Sequence, residues 1–269
     1  MPLTGTRTFV GFGFGAIQSG LFLYEAFQSG AFHRLVVAEV LPEVVQAVRR
    51  EGGSFCINIA QPDRVESACI GPVEIFSPNV EVDRAVLLAA IARAEEIATA
   101  VPSVSFYVSE KPGSLHRLLA EGLCQKVQRG GPRAIVYAAE NHNHAAEILE
   151  AAVLELVPPE LQSAVRRRVR FLNTVIGKMS QVVADPEEVQ ARRLAPIMPG
   201  FPRAFLVEAF NHILISRVQF PEPFQRGIRV LQEKDDLLPS RRPNCTGTMP
   251  RMPCWATWEP CWAYHAWPT

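Results

Sequence analysis

Short apolar runs alternate along this chain with stretches in which apolar residues recur every three or four positions. Thr8–Phe12 is a run of the first kind and predicts a strand. Ala16–Ser29 is of the second kind, with Ile17, Leu21, Tyr24 and Phe27 on one helical face and Gly30 placed to end the helix. The valine-rich run Arg34–Val40 predicts the next strand. Pro42 then opens a helix that Gly52-Gly53 stops. Ser54–Ile59 and Ile70–Phe76 read as strands, Asp83–Thr99 as a helix and Val104–Val108 as a strand. Ser114–Val127 reads as a helix and Arg133–Ala138 as a strand, followed by helices over Ala145–Leu156 and Gln162–Phe171. Strands and helices in alternation predict an α/β fold with a mainly parallel sheet.

The pattern breaks near Ala195-Pro196-Ile197-Met198-Pro199-Gly200. Arg203–His212 then reads as a helix and Ile213–Val218 as a strand in a new setting, which predicts a domain boundary at residues 192/193. A second break follows Pro239. All four tryptophans and three of the six cysteines lie beyond it, among prolines and threonines, with no helical or alternating period.

Composition narrows the class. The chain has 269 residues and is 48% hydrophobic and 20% charged, enough for a full core. Lys+Arg and Asp+Glu balance at 27 each, which gives no electrostatic footprint for nucleic acid or an anionic membrane. No apolar run approaches the roughly 20 residues of a bilayer span. Met1–Gly5 shows no basic segment leading into an apolar one, so no secretory leader is expected. Cys56, Cys69, Cys124, Cys245, Cys254 and Cys261 form no Cys-x-x-Cys pair and are expected to be reduced thiols of a cytoplasmic protein.

The chemistry concentrates in Gly13-Phe14-Gly15-Ala16-Ile17-Gln18, between the first strand and the first helix. A dinucleotide's pyrophosphate needs backbone amides and no intruding side chain. Two glycines supply the turn and the close approach, and the helix aims its positive end at the phosphates. Gln18 stands where a third glycine is usual, which is expected to loosen the packing of helix on strand. Glu39 ends the second strand, where a carboxylate accepts from both ribose hydroxyls and repels a 2′-phosphate. Val40, Leu41 and Pro42 offer no arginine to such a phosphate, so NAD is expected rather than NADP. An ordinary turn is the alternative.

Other candidates follow. Thr99-Ala100-Val101-Pro102 either lines the cofactor groove or is an ordinary connection. Glu140-Asn141-His142-Asn143-His144 follows an apolar strand, where open α/β sheets place ligands. Asn141 reads as a polar contact or a helix cap. His142 and His144, two apart, do not face each other on a helix, and no metal site is expected. Arg166-Arg167-Arg168 with Arg170 reads as a solvated helix face. A Tyr-x-x-x-Lys pair would point to another class of oxidoreductase. The one match, Tyr107–Lys111, falls beside Pro112 in a loop.

Together these residues resemble the mannitol dehydrogenase family of long-chain polyol dehydrogenases, from about Phe9 to Pro239. The resemblance is carried by the glycine turn, by Thr99-Ala100-Val101, Ala139-Glu140-Asn141 and Phe171-Leu172-Asn173-Thr174-Val175, and by Val207-Glu208-Ala209-Phe210. It implies a Rossmann domain over 1–192. A mostly helical substrate and catalytic domain would begin at 193–239 and be incomplete. The activity implied is hydride transfer between NAD and a polyol or polyol phosphate of the mannitol or mannitol 1-phosphate kind. Carried over, Gly13, Phe14, Gly15, Ala16, Ile17, Gln18, Glu39, Thr99 and Ala100 would bind NAD, and Asn141 would polarise the reacting oxygen. Where the family has Val-Asp-Arg, this chain has Ile176-Gly177-Lys178, so a substrate-side acid is missing. No symmetric interface is legible, and a monomer is the default expectation.

The family's metal-independent base is a lysine in a Lys-x4-Asn-x2-His arrangement just beyond Glu233–Pro239. Residues 240–269 contain no such arrangement, and Asn244, Met249 and Met252 stand at its three places. None of them is a general base near neutral pH. A shift of reading frame over residues 240 to about 262 would account for this; a genuine divergent tail or a truncated product is the alternative. Codons built from the last base of one codon and the first two of the next permit lysine at 244, asparagine at 249 and histidine at 252. As written, the chain is expected to be inactive. The alternative is a non-catalytic NAD-binding remnant.

Overall fold

A computed structural model describes residues 7–177, 179–209, 213–235 and 237. Its centre is an eight-stranded sheet in the order β12-β11-β8-β7-β6-β1-β2-β5. β1 (Arg7–Phe12), β2 (Phe32–Ala38), β5 (Glu74–Phe76), β6 (Glu96–Thr99), β7 (Ala134–Ala138) and β8 (Val169–Ile176) are all parallel. Renumbered along the chain, these six strands run 3-2-1-4-5-6, the doubly wound dinucleotide-binding order. β11 (Ile213–Ser216) joins β8 antiparallel, and β12 (Leu231–Lys234) extends the edge. The parallel strands read as near-continuous apolar runs because helices cover both faces. β7 is buried at every position.

A second sheet has the order β4-β3-β10-β9, from β3 (Phe55–Ala60), β4 (Val65–Ile70), β9 (Ser180–Val183) and β10 (Ala204–Glu208). It lies over the first helix. That helix begins at Ala16, passes through a π-helical turn at Gln18–Leu23 and continues as α1 (Tyr24–Ser29), where Gly30 caps it at φ 63°. Every residue of the π turn is buried. Gly20 permits the contact with β10, since a Cβ there would lie 2.3 Å from Val207 Cγ1. β10 and β11 follow the boundary expected at 192/193, yet they hydrogen-bond to β3 and β8, which precede it.

α2 (Pro42–Arg50), α4 (Leu115–Gln128) and α5 (Ala145–Leu156) agree with the pattern of the sequence; five segments do not. The helix expected over Asp83–Thr99 is α3 (Glu81–Arg93), and the chain then turns extended at Ala94 to form β6. Glu96-Ile97-Ala98-Thr99 has fair helix propensity, but pairing with β1 and β7 on both sides overrides it. The Lys126 ammonium donates to the carbonyls of Ala92 (3.2 Å) and Ala94 (2.6 Å), satisfying the end of α3. The strand expected over Val104–Val108 is a 3₁₀ turn, Val104–Phe106, capped by the Ser103 hydroxyl. The helix expected over Gln162–Phe171 runs earlier, as α6 (Pro159–Arg168), and Val169 onward is β8. Arg170 therefore leaves the solvated helix face assigned to it; its guanidinium stacks 4.6 Å from the Phe220 ring centre. Ile70–Phe76 is two strands in two sheets, parted at Gly71-Pro72. Ala204–Glu208, expected helical, is β10, since a short apolar run has no period that separates buried helix from buried strand. A last helix, α7 (Pro186–Ala191), lies between β9 and β10.

Cys56 and Cys69 form a disulfide, where reduced thiols were expected. They face each other across the antiparallel β3–β4 pair with Cα atoms 4.0 Å apart. Cys245, Cys254 and Cys261 lie outside the described residues. Among the described residues no helix is long and apolar enough to cross a membrane.

Candidate cofactor site

The parallel strands end in one row. Ala38 pairs with Phe12, Phe12 with Thr99, Thr99 with Ala138 and Ala138 with Asn173. The residues just past this row are Glu39, Gly13, Ala100 and Ala139, so the register brings the sequence candidates to one edge. Gly13 and Ala100 lie at the switch point between β1 and β6, where open α/β sheets leave a crevice.

Gly13 has φ 88°, and a Cβ there would stand 2.9 Å from the Ala100 carbonyl oxygen. Only glycine fits this close approach. Gly15 differs: a Cβ on it would meet nothing within 4 Å. The space above Gly15 is open, at the start of the helix, where backbone amides point outward. Any larger side chain at 15 would take up that space. Phe14 turns the other way, buried edge-on against Phe55 (4.9 Å) and Phe205 (5.9 Å), and so fastens the turn to the second sheet.

Gln18 is fully buried, and so is Gly11 of β1 beneath it. A Cβ at Gly11 would lie 2.1 Å from Gln18 Nε2. The missing third glycine is thus offset by a glycine in the strand, and the loosening expected at Gln18 does not occur. Both polar atoms of the Gln18 carboxamide lack a partner. Ala16 is buried and Ile17 half-buried at the start of this helix.

Glu39 is 7% exposed. Its Oε2 accepts from the Phe14 amide at 2.7 Å and its Oε1 from the Leu41 amide at 2.9 Å. Burial pushes its pKa up, against those backbone bonds. Each oxygen keeps lone-pair capacity beyond these bonds.

Thr99 is fully buried, with its hydroxyl directed to Glu140 Oε2 at 3.0 Å. Asn141 is exposed at the same edge. It is not the helix cap: α5 is capped at His144, three residues on, without a side-chain bond. Instead Asn173 holds that end, accepting from the Ala146 amide (3.0 Å) and donating to Glu147 (2.7 Å). Sequence reasoning named Glu140 only as part of its motif and Tyr107 only with Lys111, and gave neither a role in the site. Glu140 is 3% exposed and accepts from Tyr107, Thr99 and the Val101 amide. An acid between an apolar strand and Asn141 was the available signal; nothing local marks Tyr107. Its hydroxyl is buried on Glu140, so the Tyr107–Lys111 spacing supplies no exposed acid. Asn244, Met249 and Met252 lie outside the described residues, as do Lys178 and Phe210.

The profile of the mannitol dehydrogenase Rossmann domain matches residues 7–221. The chain belongs to the mannitol dehydrogenase family. A D-sorbitol dehydrogenase in substrate-free form is similar in structure, with a TM-score of 0.71 and 12% identity over 88% of this chain and 56% of that one. The mannitol 2-dehydrogenase of Pseudomonas fluorescens, solved as a ternary complex with NAD and D-mannitol, gives a TM-score of 0.69 and 14% identity over 90% of this chain and 55% of that one. At such identities the likeness is one of fold. The chain spans just over half the length of either enzyme. A search of the curated proteins finds no match.

Proposed function

We propose that the chain is the NAD-binding part of a polyol oxidoreductase, one that moves hydride between NAD and a polyol or polyol phosphate of the mannitol or mannitol 1-phosphate kind. The observation that carries this reading is the open space over Gly15, bounded by the Gly13–Ala100 contact and by Glu39 on the Phe14 amide. NAD would supply the hydride acceptor. Gly15 and Ala16 would present backbone amides to its pyrophosphate, while Gly13 and Phe14, whose amides are spent on the Ala38 carbonyl and on Glu39, would shape the turn, with Ile17 and Gln18 packing the helix behind them. Glu39 would take the adenosine ribose hydroxyls on its remaining lone pairs. Ala100 would form the wall on the nicotinamide side, backed by the buried Thr99, and Asn141, exposed at the same edge, would hold the reacting oxygen of the polyol.

A second reading, an NAD-binding remnant without turnover, is favoured by one feature of the sequence. Asn244, Met249 and Met252 stand where a lysine base, an asparagine and a histidine are needed. We attribute this to a shifted reading frame after Pro239. Titration of the purified chain with NADH and NADPH, followed by a polyol oxidation assay, separates the readings. NADH binding with turnover supports the enzyme, and binding without turnover the remnant. No NADH binding overturns both.

A further inference from the structure

We propose that Glu140 is a positioning residue that fixes the nicotinamide side of the site by tying the exit of β6 to the exit of β7. The proposal rests on the reading of this edge as an NAD site. The Glu140 carboxylate is buried between the two strand exits. Its Oε1 accepts from the Val101 amide at 3.0 Å, and its Oε2 accepts from the Thr99 hydroxyl at 3.0 Å and from the Tyr107 hydroxyl. These three donors belong to the segment that leaves β6; the carboxylate belongs to the segment that leaves β7.

Each side of this tie touches a working part of the site. Ala100, between Thr99 and Val101, presents the carbonyl oxygen that closes on Gly13. On the other side, Glu140 is bonded covalently to Asn141, and its own carbonyl accepts from the His142 amide at 2.7 Å, which folds the chain over at that point. Moving Glu140 therefore moves Ala100 and Asn141 relative to each other. Tyr107 is fully buried, and burial, together with this carboxylate, pushes its pKa far up, so it stays protonated. Three donors fit a carboxylate, with its four acceptor positions. A carboxamide keeps the Val101 bond on its oxygen, but its NH2 then faces the Thr99 and Tyr107 hydroxyls, which must turn from donating to accepting, and the charge the three donors share is lost. Glu39, proposed for the adenosine side, lies just past β2, on the far side of the switch point, and its carboxylate bonds to Phe14 and Leu41 rather than to any residue of the tie.

The test uses Glu140→Gln and Tyr107→Phe in the full chain, with NADH and AMP as probes. Far-UV circular dichroism and hydrogen exchange are read alongside. Glu140→Gln is expected to raise the Kd for NADH about tenfold or more, as expected when a charged hydrogen-bond acceptor is replaced. AMP, which carries only the adenosine half, should bind within twofold of the parent. Exchange should quicken together at the Val101 amide and over residues 141–144. Tyr107→Phe removes one donor of three and should give the same pattern, three- to fivefold for NADH; it carries the test if Glu140→Gln does not fold. Equal losses of NADH and AMP affinity would mean that Glu140 only supports the fold, and the proposal fails. It fails also if NADH binds the variants as it binds the parent. If the parent itself binds no NADH, the NAD reading falls, and exchange still decides the tie: unchanged rates over 141–144 in Glu140→Gln overturn it, and raised rates uphold it.

Discussion

The Glu39 carboxylate accepts from the Phe14 amide at 2.7 Å, so the acid expected to read the ribose also braces the glycine turn. The two roles use different lone pairs of the same group. Glu39→Gln keeps the size and removes the charge. It is expected to raise the Kd for NADH about tenfold, since a hydrogen bond to a charged group contributes about 1.5–3 kcal/mol. The variant should also narrow the preference for NADH over NADPH, because the charge that repels a 2′-phosphate is gone. Paired fluorescence titrations measure both. Unchanged discrimination between the two dinucleotides would remove Glu39 from the ribose.

The same carboxylate predicts a pH dependence. On the proposed reading ribose hydroxyls donate to it, and binding then needs the ionised form. Burial raises the pKa of Glu39 in the folded chain. On acidification the group therefore takes up its proton at a higher pH than an exposed glutamate, and NADH affinity should begin to fall above the ordinary carboxylate range. The dependence should be absent in Glu39→Gln. If the two pH profiles of the Kd coincide, titration of another group governs the binding.

Gly11 and Gln18 form a complementary pair. Gly11→Ala would place a methyl group 2.1 Å from Gln18 Nε2, so the fully buried Gln18 side chain must shift into packed surroundings. The expected cost is about 1–3 kcal/mol of stability. Gln18→Ala on the Gly11→Ala background should recover most of it, because the crowding atoms are removed. Thermal or urea denaturation of the four proteins of this double-mutant cycle reads the coupling. Additive effects would show that the two residues do not share the space.

How much of this was legible in the sequence differs by residue. The turn at Gly13 could be read because a positive φ is a local demand on backbone conformation, met within a few residues. Glu96–Thr99 could not be separated from α3, because its strand state comes from β1 and β7, far away along the chain. β4 was missed because only its last residue, Ile70, is buried, so its alternation is faint. The disulfide had a signal that went unused: Pro62-Asp63 lies midway between Cys56 and Cys69, and a hairpin turning there sets them opposite each other. The buried tie of Glu140 to Tyr107 had none, since it depends on the path of the loop after β6.

Lys126 predicts a rise of stability with pH. It is fully buried, and burial pushes its pKa down to about 7 in the folded chain. In the unfolded chain it titrates near the ordinary value of about 10.4. Between these two values the unfolded chain holds a proton that the folded chain has released. By linkage, raising the pH from about 7 towards 10 favours the folded state, by at most about 1.4 kcal/mol per pH unit for one group. Below about pH 7 both states are protonated, and the contribution is constant. Lys126→Met fills the same space without a titrating group, although it leaves the carbonyls of Ala92 and Ala94 without this donor. Urea denaturation of both proteins at pH 7, 8 and 9 makes the comparison. The stability of the parent relative to Lys126→Met should increase across the series. A difference that stays flat would mean that Lys126 keeps an ordinary pKa in the folded chain.

The sequence beyond Pro239 makes the last prediction the most direct. The chain as written is expected to bind NADH and to oxidise neither mannitol nor mannitol 1-phosphate above background, since neither asparagine nor methionine takes up an alcohol proton near neutral pH. A version read in the shifted frame from codon 240 to about codon 262, with the third bases that give lysine at 244, asparagine at 249 and histidine at 252, restores the arrangement. It should turn over a polyol, with a rate that rises with pH as the lysine loses its proton. Replacing that lysine by alanine in the shifted version should abolish turnover and leave NADH binding intact. Turnover by the chain as written, at a rate ordinary for a dehydrogenase, would place the base elsewhere and end the frame-shift account.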